Sequence, residues 1–107
     1  MPTIELLWWD GCPSTPKALD DLRAAVAEQG GDPDAVVMRE VATDDDARRE
    51  EFVGSPTVRV DGQDLFPPGD DEPAGLTCRI YRRTDGRISP TPDPALLREA
   101  LSRRLSP

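Results

Sequence analysis

Two cysteines, Cys12 and Cys78, are the only thiols in the chain, and there is no histidine. Without imidazole there is no Ser-His-Asp or Cys-His nucleophile, no histidine-based metal site, and no side chain that ordinarily carries protons near neutral pH. Thiol, carboxylate and backbone chemistry remain. Two cysteines are also too few for a disulfide framework.

Cys12 is followed by Pro13, Ser14, Thr15 and Pro16, then by Leu19, Leu22 and Val26 at helical spacing, with Gly30-Gly31 past the end. Prolines fit a helix only in its first turn, where backbone N–H groups have no partner in the helix. The pattern therefore predicts a helix that starts close to Cys12. A thiol at that place is favoured as the thiolate by the helix dipole and the free N–H groups. Thr15 offers a hydroxyl to the sulfur but no second thiol, so the segment reads Cys-Pro-Ser-Thr and not Cys-x-x-Cys. Asp10 opposes ionisation and Lys17 favours it. The plainer alternative is a small cysteine packed as a hydrophobe.

The elements that must hold Cys12 follow from the pattern around it. Residues 3–9, Thr-Ile-Glu-Leu-Leu-Trp-Trp, form a short apolar run ended by Asp10-Gly11, as a buried central strand does. Residues 35–41 give a second strand, and Thr43 caps a short helix that opens on Asp44, Asp45 and Asp46 and ends near Phe52 and Val53. The acidic run lacks the spacing of a calcium loop. Residues 57–60, with alternating character, are a third strand. Asp61-Gly62 then predicts a type I′ hairpin into a fourth strand at residues 63–66. Residues 66–75 hold three prolines and two glycines and read as a loop. Within it, Asp70-Asp71-Glu72 reads as a solvated run. Residues 76–81 suggest a further strand, with a turn at Thr84-Asp85-Gly86. Asp93-Pro94 starts a last helix, with Leu97, Leu101 and Leu105 on one face. The order β-α-β-α-β-β-α predicts an α/β domain: a mixed sheet of about four strands, one parallel pair and an antiparallel hairpin edge, flanked by helices.

At 107 residues this is one domain. Hydrophobic residues at 36% against 32% charged suit a soluble fold, and no apolar run approaches the roughly 20 residues of a membrane-spanning helix. No secretory signal is visible at the start, so a cytoplasmic location is expected. A net charge of -8 argues against nucleic acid and anionic lipid as partners.

Trp9-Asp10-Gly11-Cys12-Pro13-Ser14-Thr15 opening a helix after strand one, and Gly54-Ser55-Pro56-Thr57-Val58 opening strand three, resemble the thioredoxin-like superfamily over nearly the whole chain. The resemblance is closest to small single-cysteine thioredoxin-like proteins, related to redox selenoproteins. It implies that Cys12 is the nucleophile, that Pro56 is a cis-proline facing it, and that Ser55 offers backbone groups to an extended thiol partner. An ordinary trans proline at a strand start is the alternative for Pro56. Thr15 departs from the dithiol pattern, which leaves a monothiol route through a mixed disulfide or a partnership with Cys78.

The place of Cys78 is open at this level. If the Asp61-Gly62 hairpin returns the chain to the Cys12 end, Cys78 has a route to the site. If residues 76–81 are instead the main partner of strand three, it starts at the far end, packed between Leu76 and Ile80. Proximity would allow a redox pair acting on a thiol or disulfide of a small molecule or protein, with no cofactor. It would equally allow a two-sulfur site for mercury, copper(I) or arsenite, with Cys12 and Cys78 as the metal ligands. A non-catalytic adaptor on the same fold is a third class. Arg79, Arg82, Arg83 and Arg87 would add positive charge if their segment folds over the site. Adjacent Trp8 and Trp9 point to opposite faces, one of them toward the core.

Overall fold

In the computed structural model, which describes residues 2–69 and 72–105, Ile4–Trp8 forms strand β1. Ile4 and Leu6 join one hydrophobic layer and Leu7 the other, as a strand covered on both faces requires. β2 (Val37–Glu40) runs parallel to β1, and β3 (Thr57–Val60) lies antiparallel on its other edge. β4 (Gln63–Asp64) returns beside β3. The result is a mixed four-stranded sheet in the order β2-β1-β3-β4. Asp61 (φ 52°) and Gly62 (φ 81°) both take the positive φ that a type I′ turn demands.

Helices α1 (Thr15–Glu28) and α3 (Pro94–Leu105) bury Ala18, Leu22, Ala25, Val26, Leu97, Ala100 and Leu101 against Ile4, Leu6, Val58 and Val60. Burying each such leucine contributes about 1.5–3 kcal/mol. On the other face, α2 (Asp44–Glu50) sets Ala47 beside Leu7, Val41 and Phe52. Charge also ties this face together. Glu50 of α2 pairs with Arg39 of β2 and Arg59 of β3, and Arg39 reaches Glu5 of β1 at 3.0 Å.

Several boundaries differ from the sequence expectation, each for a local reason. α1 starts at Thr15, with Ser14 at the N-cap, so Cys12 sits in the turn just before it. Pro33–Ala35 makes one 3-10 turn capped by the Asp32 carboxylate, which delays β2 to Val37. Thr43 caps α2 by accepting from Asp46 N–H, but Glu51 turns left-handed (φ 54°) and ends the helix, which frees Phe52 to pack into the core. β3 does not alternate: all four residues are buried, because Val58 and Val60 face the helical layer while Thr57 lies under Arg79 and Arg59 is drawn into the Glu50 network. β4 is two residues long, and Asp64 then accepts from Phe66 N–H in a tight turn.

Residues 76–81 are not a strand of the main sheet. Cys78 makes one isolated bridge to the segment ahead of β3, and Tyr81–Arg82 (β5) pairs with Ile88–Ser89 (β6). Their connection carries the expected turn, with Gly86 at φ 86°. Asp93 caps α3 as its place before Pro94 indicates, accepting from Ala95 N–H at 2.9 Å. Of the acidic loop run, Asp70 and Asp71 lie outside the described residues, and Glu72 is exposed. Among the described residues no helix is long and apolar enough to cross a membrane.

Candidate functional site

β1 ends at Trp8, and the chain turns so that Cys12 N–H donates to Trp9 O at 3.0 Å. The Trp9 indole lies over Gly11, where a Cβ would fall 2.4 Å from the ring and push it aside. This turn sets Cys12 in front of α1 with 5% of its surface exposed. The facing wall is the Gly54-Ser55-Pro56 segment ahead of β3, and the Ser55–Pro56 bond is cis. Cys12 Sγ donates to Ser55 O at 3.4 Å, a contact that holds the neutral thiol.

Cys78 reaches the same place. Of the two routes open in the sequence, the chain takes the one that returns to the Cys12 end. Ser55 and Cys78 form an isolated parallel bridge: Ser55 N–H donates to Thr77 O at 2.8 Å, and Arg79 N–H donates to Ser55 O at 2.8 Å. Both thiols are free; Cys12 is buried and Cys78 is exposed.

Burial pushes the Cys12 thiol up, as removal of a charge from water must. It is outweighed by donors to the sulfur: first the Ser14 backbone N–H, then the Cys78 thiol and the Ser55 and Ser14 hydroxyls, so that Cys12 ionises below its ordinary value. Cys78 moves the opposite way, raised first because its S–H is held by Cys12, then by burial and by the Cys12 charge. The two thiols titrate as a pair, with Cys12 losing its proton before Cys78. The Ser55 hydroxyl is buried with no hydrogen-bond partner beside the Cys12 sulfur, where it favours the ionised form of Cys12.

Thr15 does not take the role expected of it. Its hydroxyl donates to the Cys12 carbonyl at 3.5 Å, and Ser14, unused as a side-chain cap, is the neighbour that helps to lower the Cys12 pKa. Lys17 pairs with Asp21 along the helix at 2.6 Å.

Arg79 also differs from expectation. It is buried and turned away from the sulfurs, bonded to Asp64 at 2.8 Å, to Thr57 Oγ1 at 3.3 Å and to the Phe66 carbonyl. Its guanidinium lies 4.8 Å from the centre of the Tyr81 ring. The Tyr81 hydroxyl in turn donates to Pro56 O. Burial pushes the Asp64 carboxyl up in spite of Arg79. Arg82, Arg83 and Arg87 are exposed on the β5–β6 hairpin, where Arg83 pairs with Asp93 and Arg87 with Asp85.

Ser14, Ser55 Oγ and Tyr81 were not read as site residues from the sequence. The alternation of Cys78, Arg79, Ile80 and Tyr81, exposed and buried in turn, is the signal that was available for Tyr81. No family model, curated protein or solved structure matches this chain.

Proposed function

We propose that this chain is a thioredoxin-like thiol-disulfide oxidoreductase in which Cys12 is the nucleophilic thiolate and Cys78 its partner, the pair passing between dithiol and disulfide. The observation that carries the reading is the contact of both cysteines with Ser55 beside cis-Pro56, Cys12 through its sulfur on the Ser55 carbonyl and Cys78 through the backbone bridge. The order of elements, the turn before α1 and the proline before β3 support the superfamily assignment.

Disulfide exchange proceeds by attack of a thiolate on a disulfide sulfur, and the thiol of lower pKa is the better leaving group. Cys12 suits both roles. When a mixed disulfide forms on one cysteine of the pair, the neighbour attacks it, the intramolecular bond forms, and the outside thiolate leaves with a proton. No cofactor is needed for that exchange. Titration of the full chain with oxidised and reduced glutathione, followed by mass spectrometry, tests the reading. A monomer lacking two hydrogens and without an adduct supports it; persistent adducts or only cross-linked dimers oppose it.

The same contact favours one second reading, a two-sulfur site for a soft ion such as mercury(II) or copper(I). The Cys78→Ser variant separates the two: thiolate reactivity at Cys12 survives for a redox protein, and tight two-sulfur metal binding is lost.

A further inference from the structure

Ser55 has one backbone N–H and one backbone C=O. Both are engaged by the chain itself: the N–H donates to Thr77 O, and the carbonyl accepts from Arg79 N–H and from Cys12 Sγ. An extended partner that added to this loop as a short strand would need both of these groups. The chain's own residues 77–79 hold that position in parallel register, with Cys78 directly opposite Ser55.

The segment is firmly seated. Gly54 has φ 146°, and a Cβ there would fall 2.9 Å from Arg79 N, so the glycine is what lets the two backbones approach. Arg79 is anchored by Asp64, Thr57 and the Phe66 carbonyl, and Tyr81 is anchored on the Pro56 carbonyl. Beneath it Cys12 is 5% exposed, while Cys78 faces solvent.

We propose that residues 77–79 occupy the strand-docking position of the cis-proline loop, so that Cys78 is the sulfur met by outside reagents and low-molecular-weight thiols and disulfides, not extended polypeptides, are the exchange partners. This rests on the redox reading above. In the reducing direction an outside thiolate attacks the Cys78 sulfur of the Cys12–Cys78 bond, that bond breaks, and Cys12 departs as thiolate. A second outside thiolate attacks the outer sulfur of the mixed disulfide, releases a small disulfide, and leaves Cys78 as a thiolate that takes up a proton. Two outside thiols are oxidised and one protein disulfide is reduced; oxidation retraces the path.

The test uses the full chain oxidised to its intramolecular disulfide. It is opened with 2-mercaptoethanol and, separately, with a short unstructured peptide carrying one cysteine, each quenched in acid and mapped by mass spectrometry. The expected result is a first adduct on Cys78 and a peptide rate no higher than that of the small thiol, after allowance for thiolate fraction, since the peptide finds both Ser55 backbone hydrogen bonds taken and gains nothing from docking. A first adduct on Cys12, or a peptide rate about tenfold or more above that of the small thiol, overturns the proposal and leaves the redox reading standing. Failure of the intramolecular bond to form at all overturns both.

Discussion

Cys12 and Cys78 meet at Ser55, whose carbonyl accepts from Cys12 Sγ at 3.4 Å and whose backbone bridges Cys78, and the neighbouring Cys78 helps to hold the Cys12 pKa down. The two ends of this contact come from distant parts of the chain, the turn before α1 and the segment that bridges Ser55. Its removal has a defined consequence. In Cys78→Ala, the pH midpoint for alkylation of Cys12 is expected to shift upward, because one donor to the thiolate is lost. Ser55→Ala should shift it in the same direction. Ultraviolet thiolate absorbance against pH checks both, and an unchanged midpoint in Cys78→Ala would show that the contact does not act on Cys12.

Stability should follow the same titration. The folded value of Cys12 lies below 9.0, its ordinary value, so its contribution to stability is present in full above the unfolded value and is lost as pH falls through the folded value. Cys78 is raised, and its contribution is lost as pH rises beyond 9.0. Between the folded Cys12 value and 9.0, wild type should therefore gain on Cys12→Ser as pH rises. Urea midpoints at constant slope measure the difference; a gap independent of pH would contradict it.

Much of this arrangement was legible in the sequence because it depends on local rules. The Asp61-Gly62 turn, the Thr43 and Asp93 caps and the apolar stripe Leu97-Leu101 each follow from neighbours within a few residues. The position of Cys12 ahead of α1 was legible to within a turn, since Pro13 and Pro16 limit where a helix starts. The destination of Cys78 was not, because it depends on Gly54 admitting the Arg79 backbone and on Arg79 meeting Asp64, contacts between segments that no local pattern links. Nor was the place of the Thr15 hydroxyl, which the turn before α1 puts on the Cys12 carbonyl and not on the sulfur.

Arg79 is expected to be the residue that keeps residues 77–79 in place. Arg79→Ala leaves Asp64 buried without its partner and should cost about 3–5 kcal/mol. Replacing both residues by leucine should recover most of that loss, since a paired buried charge is close to neutral against an apolar substitute. Chemical denaturation of Arg79→Leu, Asp64→Leu and the double variant forms the cycle that reads it; simple additivity would contradict the pairing.

Gly54→Ala is expected to disturb the site without removing any functional atom. Its Cβ would meet the Arg79 backbone at 2.9 Å, at a φ of 146° that alanine does not tolerate. The Ser55–Cys78 bridge should open, and slowed amide exchange at Ser55 and Arg79 should be lost. Retained protection of both amides would mean that the bridge does not depend on that close approach.

The most direct test of the central claim is the oxidation of the wild-type chain at high dilution, followed by peptide mapping. The expected product is a monomer with a single bond joining Cys12 to Cys78, formed faster than either thiol is capped by glutathione. Two separately capped cysteines, with no intramolecular bond under any ratio of oxidised to reduced glutathione, would contradict the account.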